Sequence, residues 1–169
     1  MMDLANSGLL VLRLLLGLVV TGHGIQKVSH RFGGGGLEAE AAVLAADGVR
    51  GGRLSAAASG VSQVGAGVLC VAGLCTPLAA AGIIGVMTVA AFTKLRHGFW
   101  VQNDGCEFPL FLAISGVVLA LAGPGAWSLD NVISLNRSAA TSLGAIALGA
   151  VSGCVSAALL RRPRRDSGG

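Results

Sequence analysis

The sequence predicts an all-α transmembrane helical bundle, and three observations carry that expectation. Of its 169 residues 53% are hydrophobic and only 12% charged, against about 25% charged in soluble globular domains. Mean hydropathy is +0.76. Apolar runs close to the ~20 residues that cross a hydrocarbon core alternate with polar connections that hold nearly every lysine and arginine. With 27 glycines, the helices are expected to pack by close backbone approach more than through large side chains.

The first span runs from Ser7 to Ile25. The six residues before it, MMDLAN, contain an acid and no basic cluster, so the run reads as a retained span rather than a secretory signal. Arg13 interrupts it, and a charge inside a span costs at least ~2.5 kcal/mol unless it snorkels or finds a partner. His23 and Lys27 close the span four residues apart, on one helix face. They are either an edge lysine beside a polar histidine or the start of a site.

Ser29 to Leu54 is a polar connection. Its Gly33 to Gly36 run is followed by no Gly-Lys-Ser or Gly-Lys-Thr, so it reads as a flexible joint and not a phosphate loop. Leu37 to Ala46 is a short amphipathic piece with Leu37, Ala41 and Leu44 on one face and Glu38 and Asp47 away from it. It is expected to lie against the membrane or the bundle.

The second span, Ala56 to Leu74, and the third, Pro77 to Thr93, are joined so tightly that they must form an antiparallel hairpin. Pro77 sits at a tolerated first helical position. Gln63, the strongly polar residue of the second span, is either interhelical glue or a binding group. Lys94 to Cys106 is a basic and aromatic loop in which Phe99 and Trp100 suit a membrane interface. The fourth span runs from Glu107 to Gly123, with Pro109 in its first turn. The fifth, Ala139 to Leu160, repeats small residues at Ala145, Gly149 and Gly153, the spacing that lets helices touch.

Counting basic residues on alternate sides of these spans gives a strong asymmetry. Lys27, Arg31, Arg50, Arg53, Lys94, Arg96, Arg161, Arg162, Arg164 and Arg165 fall on one side, and only Arg137 on the other. The positive-inside rule then places the N-terminus outside and the C-terminus in the cytoplasm. Topology and anionic lipid account for the basic tail, so nucleic acid is not an expected partner.

This arrangement sorts the polar residues into two layers. Arg13 and Asp130 fall toward the outer side, where an ion pair between them is expected to tie the first span to the outer loop. Lys27, His97 and Glu107 fall at the inner mouths, with His23 and Gln63 slightly deeper, and these five form the candidate ligand-binding set. The four cysteines show neither a CxxC nor a zinc spacing, so no metal site is expected and no redox dithiol is signalled. A Cys70 to Cys75 disulfide would require a break in the helix.

The run RLLLGLVVTGHGIQK, the hairpin SQVGAGVLCVAGLCTPLAA, the segment MTVAAFTKLRHGF and the stretch from Glu107 through GPGAWSLD together resemble the DoxX family of small bacterial membrane proteins, over about Leu10 to Val132. The resemblance implies a four-span core over residues 1–137, an added transmembrane helix over 138–160 and a basic cytoplasmic tail over 161–169 in a bacterial inner membrane protein. Arg13, Lys27, His97, Glu107 and Asp130 fall where the family pattern has polar residues, whereas Gln63 replaces a common glutamate.

The resemblance also implies a membrane subunit of an oxidoreductase complex that anchors cytoplasmic redox enzymes and contacts a quinone or a small thiol or sulfur compound. No facing histidine pair and no iron-sulfur cysteine set is expected here, so any enzymatic role would depend on an electron source in a partner. The alternatives are a structural scaffold acting through the amphipathic piece and the tail, or a small-molecule transporter, which five spans without an evident inverted repeat support less.

Overall fold

The computed structural model describes residues 4–135 and 138–161, so Arg137 and the tail arginines 162, 164 and 165 lie outside the described residues. Among the described residues seven α-helices follow in order: α1 (Leu4–Val28), α2 (Gly36–Ala46), α3 (Gly52–Ala72), α4 (Thr76–Lys94), α5 (Glu107–Ala122), α6 (Leu129–Val132) and α7 (Ala139–Leu160). No strand occurs among the described residues, and the chain is an all-α membrane bundle. α1, α3, α4 and α7 are long and apolar enough to cross a membrane.

The expected fourth span is the exception in length. α5 has 16 residues, or ~24 Å at 1.5 Å per residue, against a hydrocarbon core of ~30 Å. It nevertheless returns along α4. Glu107 starts beside Val101 just past the end of α4, Gly116 packs against Ile83 and Ile84 at its middle, and Asp130, just after α5, binds the start of α4. Exposed Phe99 and Trp100 before α5 and Trp127 after it extend its apolar reach at the interfaces.

Local chemistry sets the helix ends. Gly73 ends α3 in the left-handed region at φ 62°, and Pro77 occupies the first turn of α4. Ser128 accepts the Asn131 amide to cap α6. Ser138 and Thr141 form a reciprocal capping box at the start of α7.

Glycine sets the helix contacts. α1 and α3 are antiparallel, and Gly17 faces Gly67 while Gly24 faces Gly60. A Cβ on either Gly17 or Gly67 would lie 2.7 Å from the other's carbonyl oxygen, and one on Gly24 would lie 2.7 Å from that of Gly60. α7 runs parallel to α4 and docks through the stripe noted above, with Ala145, Gly149, Gly153 and Ala157 all buried. A Cβ on Gly149 or Gly153 would come within 2.7 Å of the Ala81 or Gly85 carbonyl, respectively. The apolar core lies between these contacts, built on Leu16, Val20, Cys70, Ile83, Met87, Leu112 and Leu119.

α2 lies against α1 and α3. Leu37, Ala41 and Leu44 are half-buried and Glu38 is exposed, as the amphipathic pattern predicts. Asp47 follows the helix with its side chain only 7% exposed and paired with Lys94 at the end of α4. The four glycines make a defined turn, with Gly33 and Gly36 at positive φ and Gly34 packed against the Gln26 backbone. Cys70 and Cys75 are free thiols, the first buried within α3 and the second exposed before α4.

Candidate functional site

The ends of α1, α4 and α7 and the start of α3 gather at one end of the bundle, here termed the basic end. The five candidate ligand-binding residues do not converge on one point there. Lys27 is paired with Glu40 of α2. His97 Nε2 lies 2.9 Å from Asp47 Oδ1. Glu107 accepts the Val101 amide at 2.9 Å and so pins the loop before α5. His23 is exposed and meets the Phe108 ring edge-on, with centroids 5.4 Å apart. Gln63 is 2% exposed, and its Oε1 accepts no hydrogen bond.

The dispersion has a physical reason. Each polar group at a helix end meets a closer partner from the connections than from another span. Sequence reasoning missed those partners, Glu40, Asp47, Lys94 and Asp104, because 10 to 50 residues separate each pair along the chain.

Lys94, Asp47, His97 and Asp104 form one network. Lys94 Nζ lies 3.0 Å from Asp47 Oδ2 and 2.6 Å from Asp104 Oδ2. Burial alone would raise the Asp47 pKa, but the His97 contact and the neighbouring Lys94 ammonium outweigh it and hold the carboxyl below its ordinary range. Arg96 donates to the Ala46 carbonyl at 2.7 Å. The following residues bind the end of α7, where the Arg50 amide donates to the Leu160 carbonyl at 2.7 Å and Val49 bridges Arg161. The network therefore fastens the α2–α3 loop to both α4 and α7.

That loop borders the basic end of a cavity of about 510 Å³. α3 and α4 approach closely where Ala66 meets Gly82 and leave space toward the basic end. Residues 54–62 of α3 form one wall, residues 81–93 of α4 the floor and residues 152–160 of α7 the other wall, with Leu44, Val49 and Lys27 at the mouth. The surface is mainly apolar, interrupted by serine hydroxyls and the Lys27 ammonium. Of the five candidate residues, Lys27 alone lines it.

The opposite end is structural. Arg13 is 1% exposed and donates through Nη2 to the Trp127 carbonyl. The expected direct Arg13–Asp130 ion pair does not form. Asp130 instead accepts the amides of Cys75 at 2.7 Å and Thr76 at 2.8 Å, because the unpaired amides at the start of α4 compete for the same carboxylate. It remains within electrostatic reach of the guanidinium. The first span is thus tied to the loop after α5, through a carbonyl.

Gln63 gives a test of its own. A buried amide oxygen with no partner carries a desolvation cost of ~1–3 kcal/mol. Gln63→Leu is expected to leave the melting temperature unchanged or raise it, as read by thermal unfolding in detergent, whereas a fall would show that the amide holds helices together.

Among the described residues, no three His, Cys, Asp or Glu side chains are placed to hold a metal ion. No solved structure matches the chain. An uncharacterized membrane protein of Mycobacterium tuberculosis (strain ATCC 25618 / H37Rv), Rv3486, is 31% identical over 144 residues, covering 76% of this chain and 82% of that protein. The DoxX family model matches residues 8–96, from α1 through the end of α4. With its membrane helices and this relative, the chain belongs to the DoxX family.

Proposed function

We propose that this protein is a membrane subunit of an oxidoreductase complex, anchoring redox partners at the cytoplasmic face and contacting a quinone or a small thiol or sulfur compound. The observation that carries the reading is the cavity of about 510 Å³ with its mouth at the basic end. It has the size of a small-molecule site. By the positive-inside rule that end faces the cytoplasm, so the N-terminus is outside. A membrane-soluble carrier would then meet a cytoplasmic partner where the two can exchange electrons. The partner supplies the electrons, while this chain supplies the membrane site and the docking face.

The Asp47 network orders that face. Because the Asp47 pKa is lowered by folding, its contribution is present above the unfolded value of about 3.9 and is lost as pH falls through the lower folded value. Asp47→Asn is expected to weaken the network already at neutral pH. Hydrogen exchange at the Val49 and Arg50 amides should then speed up by about tenfold, the effect of ~1.4 kcal/mol. Unchanged exchange would mean that the loop is held without Asp47.

Purification in mild detergent from native membranes, with mass spectrometry of proteins and extracted lipids, tests the functional reading. Redox enzymes recovered in fixed ratio with the chain are the expected result. A preparation free of redox enzymes under conditions that retain other membrane complexes would contradict it.

A further inference from the structure

The mouth and lining of the α3–α4–α7 cavity restrict what fits it. Its floor runs from Ala81 to Thr93, ~18 Å at 1.5 Å per residue. Along α4 this extends from the second turn of the helix to its end at the basic side. The slot therefore runs over about two thirds of the span, from the basic end. Polar groups are distributed unevenly: Ser55, Ser59 and Ser62 line α3, Ser152 and Ser156 line α7, and Lys27 is the charged residue among those lining the cavity.

Lys27 is matched by Glu40, and on the adjacent start of α3 Arg53 is matched by Glu38 at 3.0 Å. An anionic head at Lys27 would meet the Glu40 carboxylate beside it. A neutral head with a hydrogen-bond-accepting oxygen avoids that repulsion, because an ammonium has three donors and the Glu40 contact uses one. Ser55 and Ser152 donate to the Arg50 and Gly149 carbonyls, which leaves the hydroxyls of Ser59, Ser62 and Ser156 as further donors to the same oxygen class without adding charge.

We infer that the cavity binds a neutral amphiphile whose carbonyl or ether-bearing head lies at Lys27 and whose apolar tail lies along α4 toward Gly82. Alkyl and isoprenoid quinones belong to this class, so the inference deepens the functional reading and rests on it only for the physiological identity of the ligand.

The test uses the full chain in lipid nanodiscs with two photoreactive probes, a decyl-benzoquinone and dodecyl phosphate, each carrying a diazirine in its tail. The benzoquinone should label peptides from residues 81–93 and 152–160 in preference to the phosphate. Ser62→Phe, which adds a ring at the far end of the α3 wall, should abolish that labelling. Because this variant can misfold, Lys27→Met provides a second reading at the mouth. It should weaken benzoquinone binding by about tenfold to a hundredfold, the worth of a hydrogen bond from a charged donor. Glu40→Gln should keep benzoquinone binding and raise that of dodecyl phosphate.

Preferential labelling by dodecyl phosphate in the parent protein would make the cavity an anionic lipid site and overturn the inference. So would labelling by neither probe, or labelling that a folded Ser62→Phe variant leaves intact. Partner recovery reads the redox assignment separately. A labelled cavity without redox partners would refute that assignment alone, and redox partners without a labelled cavity would refute this inference alone.

Discussion

A Gly67→Leu variant is expected to lose the folded bundle, whereas Gly65→Leu, two residues away, is expected to fold normally. A Cβ at Gly67 would lie 2.7 Å from the Gly17 carbonyl and 2.8 Å from the Thr21 amide nitrogen, both backbone atoms that no rotamer change can move. Relieving the overlap requires parting α1 from α3. That separation also removes the Gly24–Gly60 approach, because both contacts belong to one antiparallel register. Overpacking of this kind costs about 3 kcal/mol or more when backbone must shift. A Cβ at Gly65 meets nothing within 4 Å. Size-exclusion profiles and thermal melts of the two variants, purified side by side, give the comparison. Equal melting temperatures would show that α1 and α3 do not pack through their glycines.

Asp130→Ala is expected to be the most damaging change at the opposite end of the bundle. Its carboxylate is 4% exposed and accepts the first amides of α4. It is also the negative charge within reach of the buried Arg13 guanidinium. Removing it strands two amides and takes away the negative charge near a buried cation, with an expected loss of about 2–6 kcal/mol from the two stranded donors. Asp130→Asn keeps one accepting oxygen and should lose less. Gly73→Ala should fail for a related reason: its φ of 62° is left-handed, and the added Cβ would overlap the Arg13 guanidinium. If Asp130→Ala melts within a degree or two of the parent, Arg13 is compensated elsewhere.

The membrane bundle was readable in the sequence because hydropathy and helix length are local properties. The fifth span is placed at its observed bounds, Ala139–Leu160, since Ser138 and the basic run from Arg161 punctuate it clearly. The small-residue stripe Ala145, Gly149, Gly153 was visible too, and it is the face that meets α4. The pairing of Gly17 with Gly67 and of Gly24 with Gly60 was also written in the spacing, seven residues apart in each helix. It went unread because 27 glycines supply many such coincidences.

The candidate site was less legible. Charge position alone drew Arg13 to Asp130, but Asp130 is spent on α4 amides whose exposure follows from the tight α3–α4 turn. Likewise His97 and Glu107 are near each other in sequence, yet one turns to Asp47 and the other to the Val101 amide. Such choices depend on which connection folds over which helix end. The cavity is a property of packing rather than of any motif: small residues close α3 against α4 at Ala66 and Gly82 and hold α7 against α4, leaving the serine-lined slot between them.

The most direct test of the account is two-electron, two-proton reduction of a quinone to its quinol by vesicles reconstituted with the chain and the redox partners recovered with it. Electrons come from the partners' reducing substrate and protons from water, and the parent is compared with Ser62→Phe at matched folded protein. The predicted result is reduction that requires both the chain and its partners and falls to background when Ser62→Phe blocks the cavity. Reduction at the parental rate by the blocked variant, or by partners without this chain, would contradict it.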